Sequence, residues 1–484
     1  MKLSALTLVV LSSISLITGC SVDKGGQKPA PKVDTFLAGL FAEKESILTV
    51  VDTAGNPIAG AQILIGTSVG APFVENFITT DSSGSFIAPE LWTTEQAVTI
   101  QAAGFVRSTY LAQTPMGQTF ELRTTPSNDR LELSGIGTGF NIKNKDNKID
   151  FALMIPALNR TALFSFNLGM VISTEMDKIS VMGQDLEIPS NIALPEQKES
   201  YVLPITLEKE KYRMYFDSLG TRRVFTARGQ FPFKEVVKEM RANKPFHELI
   251  NYFTLLGGSI KTVNITGPKQ VLNLPVNELV FNQAQKFTAP SFAADEFVMA
   301  MALSEHNAEL FPTDIKNIDA ATQVTMTTAA GGTPLLLTVL KKKSDNALGS
   351  GQLSAGIIPF GATTEPKLLP LMANPQVLGP NEVSFPKIST INNVEPVATF
   401  SVLSKLEKKT VNNLEIEVLT PMWEVYGHTW VDGFKLPEWP GDAPKTGTQR
   451  WDVSFVGSQN AKTIDLGPRM LETATHATHS SSDF

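Results

Sequence analysis

Cysteine is nearly absent, with one in 484 residues, and a single thiol excludes an internal disulfide framework. Histidine is scarce as well, five in all, so few residues are available for an imidazole-based metal or acid–base site. An excess of positive charge is also missing: the formal net charge is −7. A nucleic-acid binder needs a basic patch that displaces phosphate counterions, so no nucleic-acid partner is expected. Runs of spanning length are lacking too. Leu3 to Ile17 falls short of the about 20 apolar residues that cross a bilayer. Phe297-Val-Met-Ala-Met-Ala-Leu303 has the length and content of a buried strand.

What is present begins at the N-terminus. Lys2, the apolar run and the small residues Thr18 and Gly19 have the layout of a secretory signal. Ile17-Thr18-Gly19-Cys20 resembles the lipobox of bacterial lipoproteins. That resemblance implies a signal peptide over residues 1–19, a diacylglyceryl group on the Cys20 thiol and an acyl chain, such as palmitate, on its new amine. Two or more acyl chains hold a protein firmly to a membrane, where one binds only marginally. Ser21 rather than Asp after the cysteine favours, by the same resemblance, the outer membrane. Residues 20–45, with Gly25-Gly26 and Pro29-Ala-Pro31, read as a lipidated tether.

The remaining chain is globular in composition, 42% hydrophobic and 18% charged, and at roughly 150 residues per domain suggests about three domains. Ile47 to Val51 is β-rich, and Asp52-Thr-Ala-Gly55-Asn56-Pro57 is a turn in which Gly55 supplies positive φ. Thr80-Asp81-Ser-Ser-Gly84-Ser-Phe86 repeats the strand–turn–strand pattern. With Gly60-Ala61 and Ala103-Gly104-Phe105, these motifs resemble the carboxypeptidase regulatory-like domain. The resemblance implies a small transthyretin-like β-sandwich over 46–124, a module that is an accessory rather than a catalyst.

Residues 125–262 read as a central β domain with helices near 232–256. There, Phe233, Val236, Val237 and Met240 share one helical face, and Pro245 opens a second helix that Gly257-Gly258 ends. Residues 263–484 read as a C-terminal β-sandwich region, with a division into two units near 345. Leu414 to Leu419 and Trp451 to Phe455 alternate as half-buried strands do. Thr473 to Phe484, rich in Ser, Thr and His, reads as an edge strand with a frayed tail. The whole is expected to be mainly β: tandem β-sandwich domains with a short helical hairpin.

Candidate chemistry is sparse. His306-x-x-Glu309 has the ligand spacing of zinc carboxypeptidases, and His428 could supply a third ligand. The flanking residues do not match that enzyme, and the accessory module precedes rather than follows. Gly66-Thr-Ser68-Val-Gly70 has a nucleophile-elbow pattern without the helix an elbow requires. His476-x-x-His479 lies in the polar tail. Four of five tryptophans fall between 423 and 451, with Tyr426 among them. Trp423 and Trp451 adjoin alternating strands and belong to a core. Trp430, Trp439 and Tyr426 are the binding candidates, because exposed aromatic faces stack on sugars or anchor protein partners. The expectation is a membrane-anchored, non-enzymatic binding or structural module for a protein or glycan partner, without a cofactor. The alternative is a secreted hydrolase, with His306, Glu309 and His428 as the ligands of a zinc-dependent form.

Overall fold

The structure is a computed structural model. It describes residues 46–66, 77–126, 130–140, 148–164, 171, 173, 175–181, 184–200, 204–242, 244, 246–320, 322–344, 351–361, 364–411, 414–439, 442 and 446–484. The expected mainly β class is what forms, with three short α-helices among the described residues. The chain divides into two compact units. Among the described residues, the smaller holds those from Ser46 to Thr125 together with those of Leu436–Asp442; the larger holds those of Pro126–Lys435 and Ala443–Phe484.

The smaller unit is a sandwich. One sheet orders Ser85–Ile87, Ile47–Asp52 and Thr119–Leu122, the last pair parallel. The other runs Arg107–Gln113, Gln96–Gln101, Gln62–Ile65 and Ile78–Thr79, all antiparallel. Period-2 alternation turns Leu48, Val50, Phe86 and Phe120 inward against Ile63, Val98, Ile100 and Tyr110, all buried. The two motif turns use one device twice. Asp52 Oδ1 accepts from the amides of Ala54 and Asn56, both at 2.8 Å. Asp81 Oδ1 accepts from Ser83 and Ser85, also at 2.8 Å. A short acidic side chain thus fixes each turn from within. Gly84 then has φ +72°, and a Cβ there would lie 2.6 Å from the Val50 carbonyl oxygen.

In the larger unit, a seven-stranded antiparallel sheet orders Pro204–Lys209, Ile192–Ser200, Lys148–Pro156, Gly220–Pro232, Thr254–Ile265, Leu279–Thr288 and Gln323–Ala329. A further sheet centres on Leu131–Thr138, flanked by Lys211–Phe216 and Lys269–Val271. Met154, Tyr212, Phe216, Val224 and Ile265 belong to one buried cluster that includes residues of both. An eight-strand antiparallel array runs Glu309–Ile318, Glu296–His306, Thr333–Lys342, Leu353–Pro359, His476–Asp483, Gln449–Ser458, Glu395–Val411 and Leu414–Gly427. Phe287, Val298, Ala300, Met326 and Phe360 form a second core. The run Phe297 to Leu303 lies in a buried strand of this array, as its apolar content requires.

Several expectations change here. No domain boundary falls at 262, because Thr254–Ile265 runs through it as one strand. The division expected near 345 falls on residues outside those described, but the strands on either side pair with each other from Leu335↔Pro359 to Lys341↔Leu353. Helices form at Phe233–Arg241 and Phe246–Leu249. Gly257 and Gly258 do not end the second one; they lie inside a strand. A Cβ on Gly257 would sit 2.4 Å from the Leu279 carbonyl oxygen, and one on Gly258 2.0 Å from that of Thr226, so neighbouring backbones approach too closely for a side chain.

The largest departure is the C-terminus. His476–Asp483 is no frayed edge but an inner strand between Leu353–Pro359 and Gln449–Ser458. Its polar residues on one face meet the extended segment of residues 367–375. His476 Nε2 donates to the Lys367 carbonyl at 2.9 Å, and Thr478 donates to that of Pro370 at 2.9 Å. Ser480 donates to Asn374 Oδ1 at 2.9 Å, and Ser482 to the Pro375 carbonyl at 2.7 Å. Prolines lack the N–H that a ladder needs, but their carbonyls accept, so side chains replace backbone pairing. Leu369 and Met372 fasten the same segment by burial.

Two predictions follow from these packings. Gly84→Ala should destabilise the smaller unit by about 1–3 kcal/mol through strained φ and the contact with Val50, measured as an earlier denaturant midpoint. His476 is held neutral, its pKa lowered to about 4 by burial. The unfolded chain protonates near the ordinary 6.5, so stability is full above 6.5 and declines as pH falls from there to about 4, by about 1.4 kcal/mol per pH unit. Denaturant titrations between pH 7.5 and 4.5 should show a flatter decline for His476→Gln than for the natural chain.

Candidate functional site

His306 and Glu309 are brought together, but as the two ends of a tight hairpin. They are Cα partners closing Glu296–His306 against Glu309–Ile318. The intervening Asn307 and Ala308 have φ +51° and +64°, the left-handed pair of a type I′ turn, whose twist suits a hairpin. The His-x-x-Glu spacing therefore arises from turn geometry. Glu309 is engaged by Arg223 at 2.7 Å, and the His306 ring stacks on Phe311 with centroids 5.0 Å apart.

His306 Nε2 also lies 3.2 Å from Ser304 Oγ, a contact that in an open cleft would suit nucleophile activation. Ser304 is fully buried. Gly332 covers the pair so closely that a Cβ there would lie 2.1 Å from Ser304 Oγ and 2.4 Å from His306 Nε2. Burial, and then the Arg223 charge, lower the His306 pKa. The pair is packing, with no room for a substrate carbonyl. His428 is exposed, just past the strand Leu414–Gly427. Among the described residues no group of three or more His, Cys, Asp or Glu side chains could hold a metal ion, so the three zinc candidates do not converge.

The aromatic candidates separate by burial. Tyr426, expected at a surface, is fully buried, stacked on Phe400 with centroids 5.4 Å apart. Its hydroxyl donates to the equally buried Glu424 at 2.5 Å. Trp430 is half-buried: it stacks on Phe455 at 5.4 Å, and its Nε1 donates to the Val456 carbonyl at 2.9 Å. Trp423 and Trp451 are core residues, as their strands imply. The open aromatic face expected of Tyr426 and Trp430 is thus mostly taken up by the protein's own rings.

Trp439 is only 6% exposed and belongs to the smaller unit, far from it in sequence. Its ring stacks on Phe77 with centroids 4.6 Å apart, and the Arg107 guanidinium lies 4.8 Å above it. Arg107 forks onto Asp442, with both nitrogen–oxygen distances 2.7 Å, while its Nε donates to Gln101 Oε1 at 2.6 Å. Planar, bidentate pairing of this kind is strong and orientation-specific. Sequence reasoning found Trp439 but not its partners, because nothing local to either segment signals a contact across more than 300 residues.

A dense charge cluster was not foreseen. Arg213 and Lys209 both engage Asp177, the latter at 3.0 Å, and Tyr215 donates to Glu175 at 2.6 Å. Lys209 also donates to the carbonyls of Ser190 at 3.1 Å and Lys211 at 2.8 Å. Its burial lowers its pKa, and its bonds are those of an internal brace. Cys20, the signal segment, the tether, Ser68 and Gly70 lie outside the described residues.

Residues 48–126 match the family model of the carboxypeptidase regulatory-like domain. No curated protein matches the chain. Among solved structures, BcpA, the major pilin subunit of Bacillus cereus, aligns over 64% of this chain and 86% of that chain at 10% identity, with a TM-score of 0.16. A streptococcal ancillary pilin aligns over 72% and 96% at 8% identity, with a TM-score of 0.13. A fimbrial assembly protein from Parabacteroides distasonis aligns over 51% and 94% at 7% identity, also with a TM-score of 0.13. TM-scores this low establish no shared overall fold.

The burial of Trp439 yields a prediction. Trp439→Ala should cost the smaller unit about 3–5 kcal/mol, read as earlier unfolding by the fluorescence of Trp92, which is buried in that unit. Trp430→Ala, half-buried, should cost the larger unit less and leave the Trp92 signal unchanged.

Proposed function

Starting from a carboxypeptidase regulatory-like domain at residues 48–126, we propose that this chain is a lipid-anchored, non-enzymatic protein of a bacterial envelope. Its β units act as a structural or binding module for a protein or glycan partner. The observation that carries the reading is the use made of the chemistry-bearing side chains. His306 and Glu309 close a hairpin, and Ser304 is sealed under Gly332. His476 and His479 are bonded within a sheet, His479 Nδ1 to Ser454 Oγ at 3.1 Å. Such residues maintain a rigid β body instead of lining a reaction cleft.

The anchoring part rests on Ile17-Thr18-Gly19-Cys20. A diacylated and acylated Cys20 holds the chain at a membrane, and Ser21 favours the outer one. The tether 20–45 then spaces the first domain from the lipid surface. In cells fed a radiolabelled fatty acid, the natural chain should carry label and sediment with outer-membrane fractions. Cys20→Ser should carry none and leave the membrane fraction. Label retained in the variant would reject the anchor. Protease treatment of intact and lysed cells then separates a surface-exposed module from a periplasmic one.

A further inference from the structure

The smaller unit leaves an apolar surface at the end where Ser46 enters it. Ile47 is 56% exposed, Ile87 53%, Leu91 74% and Met116 64%. Leu48 turns inward, so Ile47 points outward, and Ile87 is its Cα partner on the adjacent strand. The other two lie close by in the pairing. The Ala88 amide donates to the Ser46 carbonyl at 3.1 Å, and Leu91 stands in the turn that follows, which the Trp92 amide closes on the Pro89 carbonyl at 2.9 Å. A Cβ on Gly117, next to Met116, would lie 3.4 Å from the Ile47 carbonyl oxygen. Exposed apolar residues scattered singly are ordinary, but a group at one end of a small unit marks a surface that something covers.

We infer that this surface is the docking site of residues 34–42 of the same chain. The sequence just ahead of Ser46 has the matching chemistry. Phe36, Leu37, Leu40 and Phe41 recur at the spacing that puts them on one helical face, and Asp34 suits the N-cap. A helix this short is marginal in water by itself and needs a surface to fold against. Connection favours the same place: Phe41 is six residues from Ile47, which keeps it within about 20 Å. A lipid surface suits the site less well, because Glu90, beside Leu91, is exposed too, and anionic headgroups repel acidic groups. The docking does not rest on lipidation. Where Cys20 is anchored, it shortens the free spacer to residues 21–33, about 45 Å fully extended, and fixes which end of the domain faces the membrane.

Hydrogen exchange followed by mass spectrometry tests it, on the full chain carrying Cys20→Ser, which has no thiol to acylate. Amides of residues 36–42 should exchange about tenfold more slowly than those of an unstructured chain, equally at low and high protein concentration. Leu40→Asp in the segment and Leu91→Asp on the surface should each remove that protection, while the strands Ile47–Asp52 and Gln96–Gln101 keep theirs. Ile87→Asp should act in the same way. If it unfolds the unit, Leu91→Asp, at a far more exposed position, decides. Exchange of residues 36–42 at the unstructured rate overturns the inference, as does protection that survives Leu91→Asp combined with Met116→Asp. Protection that grows with protein concentration overturns it in favour of a second copy. Protection that appears only when vesicles of phosphatidylethanolamine and phosphatidylglycerol are added overturns it in favour of a lipid surface.

Discussion

The larger unit depends on one insertion: the strand His476–Asp483 enters the sheet between Leu353–Pro359 and Gln449–Ser458. The two strands that receive it have no direct pairing of their own, so without it the array separates into two. Buried polar side chains would normally make such an insertion unfavourable, since each unmade bond costs about 1–3 kcal/mol. The 367–375 segment removes that cost by offering an acceptor to each alternate residue of the strand, from His476 to Ser482. On the opposite face, Asp483 pairs with Arg450, and Ser481 accepts from the Gly351 amide at 3.2 Å. Polar groups on both faces are thereby bonded, and a one-residue slip would break both sets at once. Polar residues here specify register more than they add stability.

The smaller unit shows a similar economy in its turns and a different one in its closure. Asp52 and Asp81 each gather successive amides onto one carboxylate oxygen, so short loops hold their shape without a hydrophobic core beneath them. Its amides, first that of Ser85, and the Ser83 hydroxyl hold Asp81 below the usual carboxylate range. Trp439 and Asp442 pack onto Phe77 and Arg107 of the same domain. A small sandwich buries a limited fraction of its surface, and a tryptophan brought from elsewhere in the chain adds a large apolar contact to it.

Much of this was legible in the residues. The mainly β class follows from alternation in stretches such as Trp451 to Phe455, and the first domain from Asp–Gly turns whose hydrogen bonds are local. The apolar run at Phe297 reads correctly as a buried strand because every residue in it favours burial. Signals became ambiguous where a residue type serves two environments. Gly257-Gly258 reads as a helix end, yet the same missing Cβ suits two strands drawn close together. His306-x-x-Glu309 reads as ligand spacing, yet two left-handed residues between the pair make it a hairpin. Tyr426 reads as a contact residue, yet its hydroxyl is matched by a buried Glu424.

The sequence by itself determined what depends on neighbours along the chain: the alternating strands and the Asp-centred turns. Tertiary structure alone decided what depends on residues far apart. It placed the Ser/Thr/His tail inside a sheet, put Trp439 and Asp442 into the first domain, and covered Ser304 and His306 with Gly332. The physical reason is the range of the interactions. Backbone sterics and Asx hydrogen bonds act over a few residues, while burial and the pairing of polar groups are settled by whichever distant segment arrives to complete them.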